Sequence, residues 1–109
     1  MKTDRHQKVV GIIRELIAQY VQQEANTDPL ITITGATIAP DYRRVTILFT
    51  TIPDDREKDA EVFLKRHATD MRQFLKRKAH LKIIPHLDFQ LDVGERHRQH
   101  MDEVVRSLE

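Results

Sequence analysis

Apolar residues recur at three- and four-residue steps at Val9, Ile12, Ile13, Leu16, Ile17, Tyr20 and Val21, while Arg14, Glu15, Gln19, Gln22 and Gln23 fill the other side. That spacing predicts one stripe of an amphipathic helix. The stretch "NTDP" ends it, because Pro29 disfavours helical geometry at Asp28 and has no N–H to donate. "LITITGATIA" then reads as a strand with one irregularity. Ile31 and Ile33 share a parity, whereas Ala36 and Ile38 fall on the other, so the apolar phase flips near Gly35. One extra residue would restore it, which predicts a bulge or sharp bend at Gly35. "VTILFTT" is a second strand with Val45, Ile47 and Phe49 on one side. The two should pair as an antiparallel hairpin across the Pro40–Asp41 turn.

"PDDREKDAEVFLKRH" opens a helix, with Pro53 setting the turn and Asp54 and Glu57 spaced as a capping box. Ala60, Phe63, Leu64, His67 and Ala68 continue an inner stripe into Met71, Phe74 and Leu75. Asp70 with Gln73 has the form of a second capping pair partway along, so two helices meeting at a kink are expected. "KIIPHLDFQLD" is a third strand, Leu87, Phe89 and Leu91 alternating against His86, Asp88, Gln90 and Asp92. Pro85 belongs near its start or on an edge. A last helix over 95–108 carries Met101, Val104, Val105 and Leu108 on one face. The order α-β-β-α-kink-α-β-α describes an α+β fold, helices over a three-stranded sheet, in a single domain spanning 1–109.

The chain of 109 residues has a net charge of +1, yet Lys65 to Lys82 holds seven Lys and Arg against one acid, Asp70. Those eighteen residues carry +6 and the remainder −5. Lys65, Arg72 and Lys76 fall along one side of the apolar stripe, and Arg66 and Arg77 toward another; Lys78 and Lys82 extend the run. A solvated helix face normally interleaves acids that give i,i+4 pairs, and this one has almost none. The run is therefore read as a polyanion contact that gives affinity and register without reading sequence. Arg43 and Arg44, adjacent at the hairpin turn, are further candidates for a phosphate.

Three sequence stretches, "HQKVVGIIRELIAQYV", "ITITGATIAPDYRRVTILFTT" and "LKIIPHLDFQLD", together resemble the ribosome-binding factor A family. Pro85, Leu87, Phe89 and Asp92 match its P-x-L-x-F-x-x-D signature, and Ala39-Pro40-Asp41 stands where its hairpin turn usually has Ser-Pro-Asp. The likeness spans residues 5–92. It implies a type II KH-like domain and a non-catalytic assembly factor of the small ribosomal subunit. Such a factor would bind the immature 30S particle and its 16S rRNA near the 5′ end, assist late maturation and rRNA processing, and matter most in the cold. It would be a cytoplasmic monomer, with an assembly GTPase promoting its release. The family replaces the KH domain's GxxG loop with an Ala-x-Gly kink. Here those positions are Ala68, Thr69 and Asp70, and a carboxylate replaces the glycine.

Other chemistry is thinly represented. With no cysteine, disulfides and thiolate sites are excluded. No apolar run is long enough for a membrane-spanning helix, and "MKTDRHQK" lacks the apolar core of a signal peptide. His97 and His100 share a helical face but lack a definite third ligand, so no metal and no cofactor are expected. His67 reads as a satisfied, partly buried side chain, and Asp88 and Asp92 as sheet-solvating or paired carboxylates. No nucleophile–base pair or phosphate-cradling loop appears, so no enzyme is expected. The rival reading is a KH-like protein-interaction module docking through its sheet or last helix.

Overall fold

In the computed structural model the first apolar stripe becomes helix α1, Lys2–Glu24, which turns Ile13, Ile17, Tyr20 and Val21 fully inward. Ile12, one step outside that arc, stays 45% exposed, so the inner stripe is narrower than the spacing suggests. The structure describes residues 2–24, 29–95, 97, 98 and 101, with backbone alone at 2–4 and at Asp54. The helix-ending residues before Pro29 and most of the expected helix over 95–108 lie outside the described residues. Helical geometry is nonetheless present at 93–95, 97, 98 and 101.

Strands β1 (Leu30–Ile38) and β2 (Arg44–Ile52) form the antiparallel hairpin. Their register passes from Ile33↔Phe49 directly to Gly35↔Leu48, which leaves Thr34 as the extra residue. The bulge therefore sits one residue before Gly35. Its effect is the predicted one: Ile31, Ile33, Ala36 and Ile38 all lie opposite inward-facing partners on β2 despite their change of parity. Gly35 itself is not at positive φ, so its conformation is open to any residue. The turn is closed by Ala39 N–H donating to the Arg44 carbonyl (2.8 Å) and Tyr42 N–H to the Ala39 carbonyl (2.9 Å). Tyr42 adopts φ 64°, the only non-glycine positive φ among the described residues.

After a cis Ile52–Pro53 peptide the chain makes a 3₁₀ turn, Asp54–Arg56, and then α2, Glu57–Arg66. The backbone of Asp54 lies inside the 3₁₀ turn, and the residue preceding α2 is Arg56, which makes no side-chain cap; the expected Asp54–Glu57 capping box depends on the Asp54 side chain, which lies outside the described residues. Helix α3 covers Ala68–Lys78, and strand β3, His86–Leu91, pairs parallel to β2, giving the sheet order β1-β2-β3. Val45, Ile47 and Phe49 of the central strand, with Leu87 beside them, meet Ala60 and Leu64 of α2, Met71, Phe74 and Leu75 of α3, and the stripe of α1 in one core. Each of the larger side chains buried there, Val, Ile, Leu, Phe or Met, contributes about 1.5–3 kcal/mol. The opposite sheet face mixes Thr32, Thr37, Thr46, Asp88 and Gln90 with Leu30, Leu48 and Ile52, and the core of α1, α2 and α3 lies on the other.

Candidate nucleic-acid interface

Helix α3 points Met71, Phe74 and Leu75 into the core, so its 3.6-residue period turns Arg72, Gln73, Lys76 and Arg77 outward. Lys78 keeps the spacing of the buried stripe but is exposed, because the buried position beyond it is taken by Ala79, where the backbone turns extended. Lys76, Arg77 and Lys78 thus crowd the last turn, as Lys65 and Arg66 do in α2. Cations there are favoured by the partial negative charge of the helix C-terminus.

The predicted contact residues divide into two groups. In the first, the charge is already engaged. Lys65 Nζ lies 2.7 Å from Glu61 Oε1 one turn back. Arg44 donates to Asp88 Oδ2 at 2.6 Å, with His86 Nε2 3.6 Å from the other carboxylate oxygen. Arg72 turns its guanidinium to backbone, Nε to the Pro85 carbonyl and Nη2 to the Ile84 carbonyl, both at 3.1 Å. Arg72 is therefore a tether that ties α3 to the segment leading into β3, a role its place in the charge run does not suggest. In the second group, Arg43, Arg66, Lys76, Arg77, Lys78 and Lys82 are exposed and have no ion pair among the described residues. The Arg43 N–H donates to Asp41 Oδ1 at 3.0 Å, an Asx contact that braces the turn.

The break between α2 and α3 falls at His67 (φ −93°, ψ 3°), one residue before the predicted kink. His67 N–H donates to the Phe63 carbonyl (3.1 Å), and Met71 N–H to the His67 carbonyl (2.8 Å). Ala68, Thr69 and Asp70 form the first turn of α3, so Asp70 is not its cap. Its carboxylate still sits favourably near a helix N-terminus. None of these three residues has positive φ, so the aspartate in place of glycine imposes no backbone strain. His67 is fixed from α1: Tyr20 Oη and His67 Nδ1 share a 2.7 Å hydrogen bond, and Phe63 stacks on the imidazole with ring centroids 4.2 Å apart. Burial, then the charges of Asp70 and Glu24, hold the Tyr20 hydroxyl above its ordinary pKa.

Asp92, the last residue of the P-x-L-x-F-x-x-D pattern, accepts from Thr34 Oγ1 at 2.6 Å and from the Glu95 N–H at 3.0 Å. It thereby braces the bulge and caps the helical residues beginning at Val93. The Thr34 bond first, then the Glu95 N–H, keep its carboxyl below the usual range.

A cleft of about 350 Å³ opens where the start of α1, the hairpin turn and the segment after α3 converge. Val9, Ile13, Ile38 and Pro85 floor it, with Tyr42 at its wall and Arg5, His80 and Lys82 around it. These segments are far apart in sequence, and no local pattern joins them. Among the described residues no group of three or more His, Cys, Asp or Glu could hold a metal; His97 is exposed and His100 lies outside the described residues.

The helix-capped sheet, with an antiparallel hairpin, a broken helix pair and a parallel third strand, is a type II KH-like domain, here with a basic helical edge. The family model for ribosome-binding factor A matches residues 5–105. The chain belongs to the ribosome-binding factor A family. It is 30% identical over 113 residues to ribosome-binding factor A of Geobacter sulfurreducens, covering 97% of this chain and 92% of that one. To the Trichlorobacter lovleyi protein of the same name it is 29% identical, covering 99% and 90%. The crystal structure of ribosome-binding factor A from Thermus thermophilus superposes with a TM-score of 0.71 at 16% identity, over 79% of this chain and 94% of that one. Coordinates of the Thermus thermophilus factor fitted into a cryo-EM map of its complex with the 30S subunit give 0.67 at 15% identity, over 76% and 90%.

Proposed function

We propose that this chain is a non-catalytic, monomeric assembly factor that binds the immature 30S subunit and its 16S rRNA near the 5′ end. It assists late maturation and rRNA processing, with its largest effect in the cold, and an assembly GTPase promotes its release. Family membership and the likeness to a factor placed on the 30S subunit support ribosome binding. The observation that carries the RNA contact is the set of exposed cations without acidic partners among the described residues, Arg66, Lys76, Arg77, Lys78 and Lys82, continuing from α2 through α3. Ammonium and guanidinium groups left free in this way displace counterions from phosphates and bind by shape and backbone.

The test reverses charge only where no fold contact is lost. Lys76→Glu, Arg77→Glu and Lys78→Glu together should abolish co-sedimentation with immature small subunits, a loss of at least about tenfold in affinity. Helical circular dichroism should persist. Undiminished binding by this variant would refute the cationic edge as the RNA contact.

A further inference from the structure

Beyond phosphate contact, we propose that the cleft between α1, the hairpin turn and the segment after α3 captures the base of one unpaired RNA nucleotide. This rests on the RNA-binding reading and deepens it. Three observations converge. The floor is apolar, with Val9 and Ile38 half-buried at its surface and the fully buried Ile13 and Pro85 beneath them, and the volume, about 350 Å³, falls within that of small-molecule sites. Tyr42 supplies an aromatic wall, held at φ 64° by the turn and packed against the His6 ring at 4.5 Å between centroids. Arg5, His80 and Lys82 are exposed around it, and among the described residues no carboxylate lines the cleft.

A nucleotide satisfies all three at once. Its flat base can lie on the apolar floor and stack on the phenol, while its phosphates meet Arg5 and Lys82. An acidic peptide with an apolar anchor would also meet floor and charges, but two further facts favour RNA. The aromatic wall offers a stacking surface that an aliphatic anchor does not need. And His80 and Lys82, which line the cleft, lie only two and four residues past Lys78, so the cations proposed to meet phosphate end beside it in the chain. The hairpin turn thus becomes a reader of unpaired bases, placed beside a surface that reads only backbone.

The probes are an RNA hairpin with a single bulged adenine, the same hairpin fully paired, and a peptide of alternating acidic and leucine residues. Affinity is measured by fluorescence anisotropy at one salt concentration, and cleft occupancy by methyl NMR of Ile13, Ile38 and Ile83, the last of which also lines the cleft. The bulged hairpin should bind about tenfold more tightly than the paired one and shift those methyl signals. Tyr42→Gly, which suits the positive φ, should bring the ratio of the two affinities close to one; Lys82→Gln should lower it. Equal affinities with unmoved methyl signals would overturn the cleft while leaving the cationic edge intact. Methyl shifts with the peptide but not with the bulged hairpin would overturn it in favour of a protein partner. Failure of both hairpins to bind even at low salt would sink the RNA reading as a whole.

Discussion

Asp92 joins two elements through one carboxylate, bonded to Thr34 on β1 and to the Glu95 N–H beyond β3. Asp92→Ala should therefore cost about 1 kcal/mol, read as a lower midpoint in urea unfolding at pH 7. The pH dependence has a definite sign. The carboxyl is held below its ordinary pKa in the folded chain, so its contribution is complete above the unfolded value of about 4. It is lost as pH falls through the lower, folded value. Wild type and variant should thus converge in stability under acid; a gap that persists there would contradict this role. In the sequence Asp92 is a polar position on a strand and the last letter of a family pattern. Neither feature reveals a cap, because the partner Thr34 is fifty-eight residues away.

At the scale of elements, strand parity and helical spacing foresee most of the architecture. The change of parity between Ile33 and Ala36 demands an extra residue, and Thr34 is that residue. The helix break is less visible, since the apolar period runs through it. Asp70 with Gln73 mimics a cap, yet the turn is taken by His67, which Tyr20 and Phe63 hold through contacts no local pattern encodes. Arg72 illustrates the same limit. Its spacing matches Lys76, but its guanidinium meets the Ile84 and Pro85 carbonyls, which are placed by the return of the chain toward β3. Arg72→Met should keep the stem and lose both bonds. The expected outcome is destabilisation by about 1–2 kcal/mol in urea, with faster amide exchange in β3 and near-normal binding to small subunits. Loss of binding at unchanged stability would move Arg72 from tether to contact.

For the whole molecule, uneven charge matters more than net charge. Under the proposed function, a chain with a formal charge of only +1 holds a polyanion through the cations concentrated over Lys65–Lys82. With four to six phosphate contacts, the logarithm of affinity for small subunits should fall against the logarithm of salt with a slope of about −3 to −5. A slope near zero in a salt series would exclude electrostatic attachment. The cationic run itself is legible in the sequence, whereas the cleft is not, since it exists only where three remote segments meet. The bulge also has a bearing on how copies of the chain coexist. β1 lies on the outside of the sheet, and nine residues of straight strand there would offer an uninterrupted comb of amides to a neighbouring molecule. Thr34 breaks that comb midway, so the residue that sets the inner face also guards the rim against fibrous stacking.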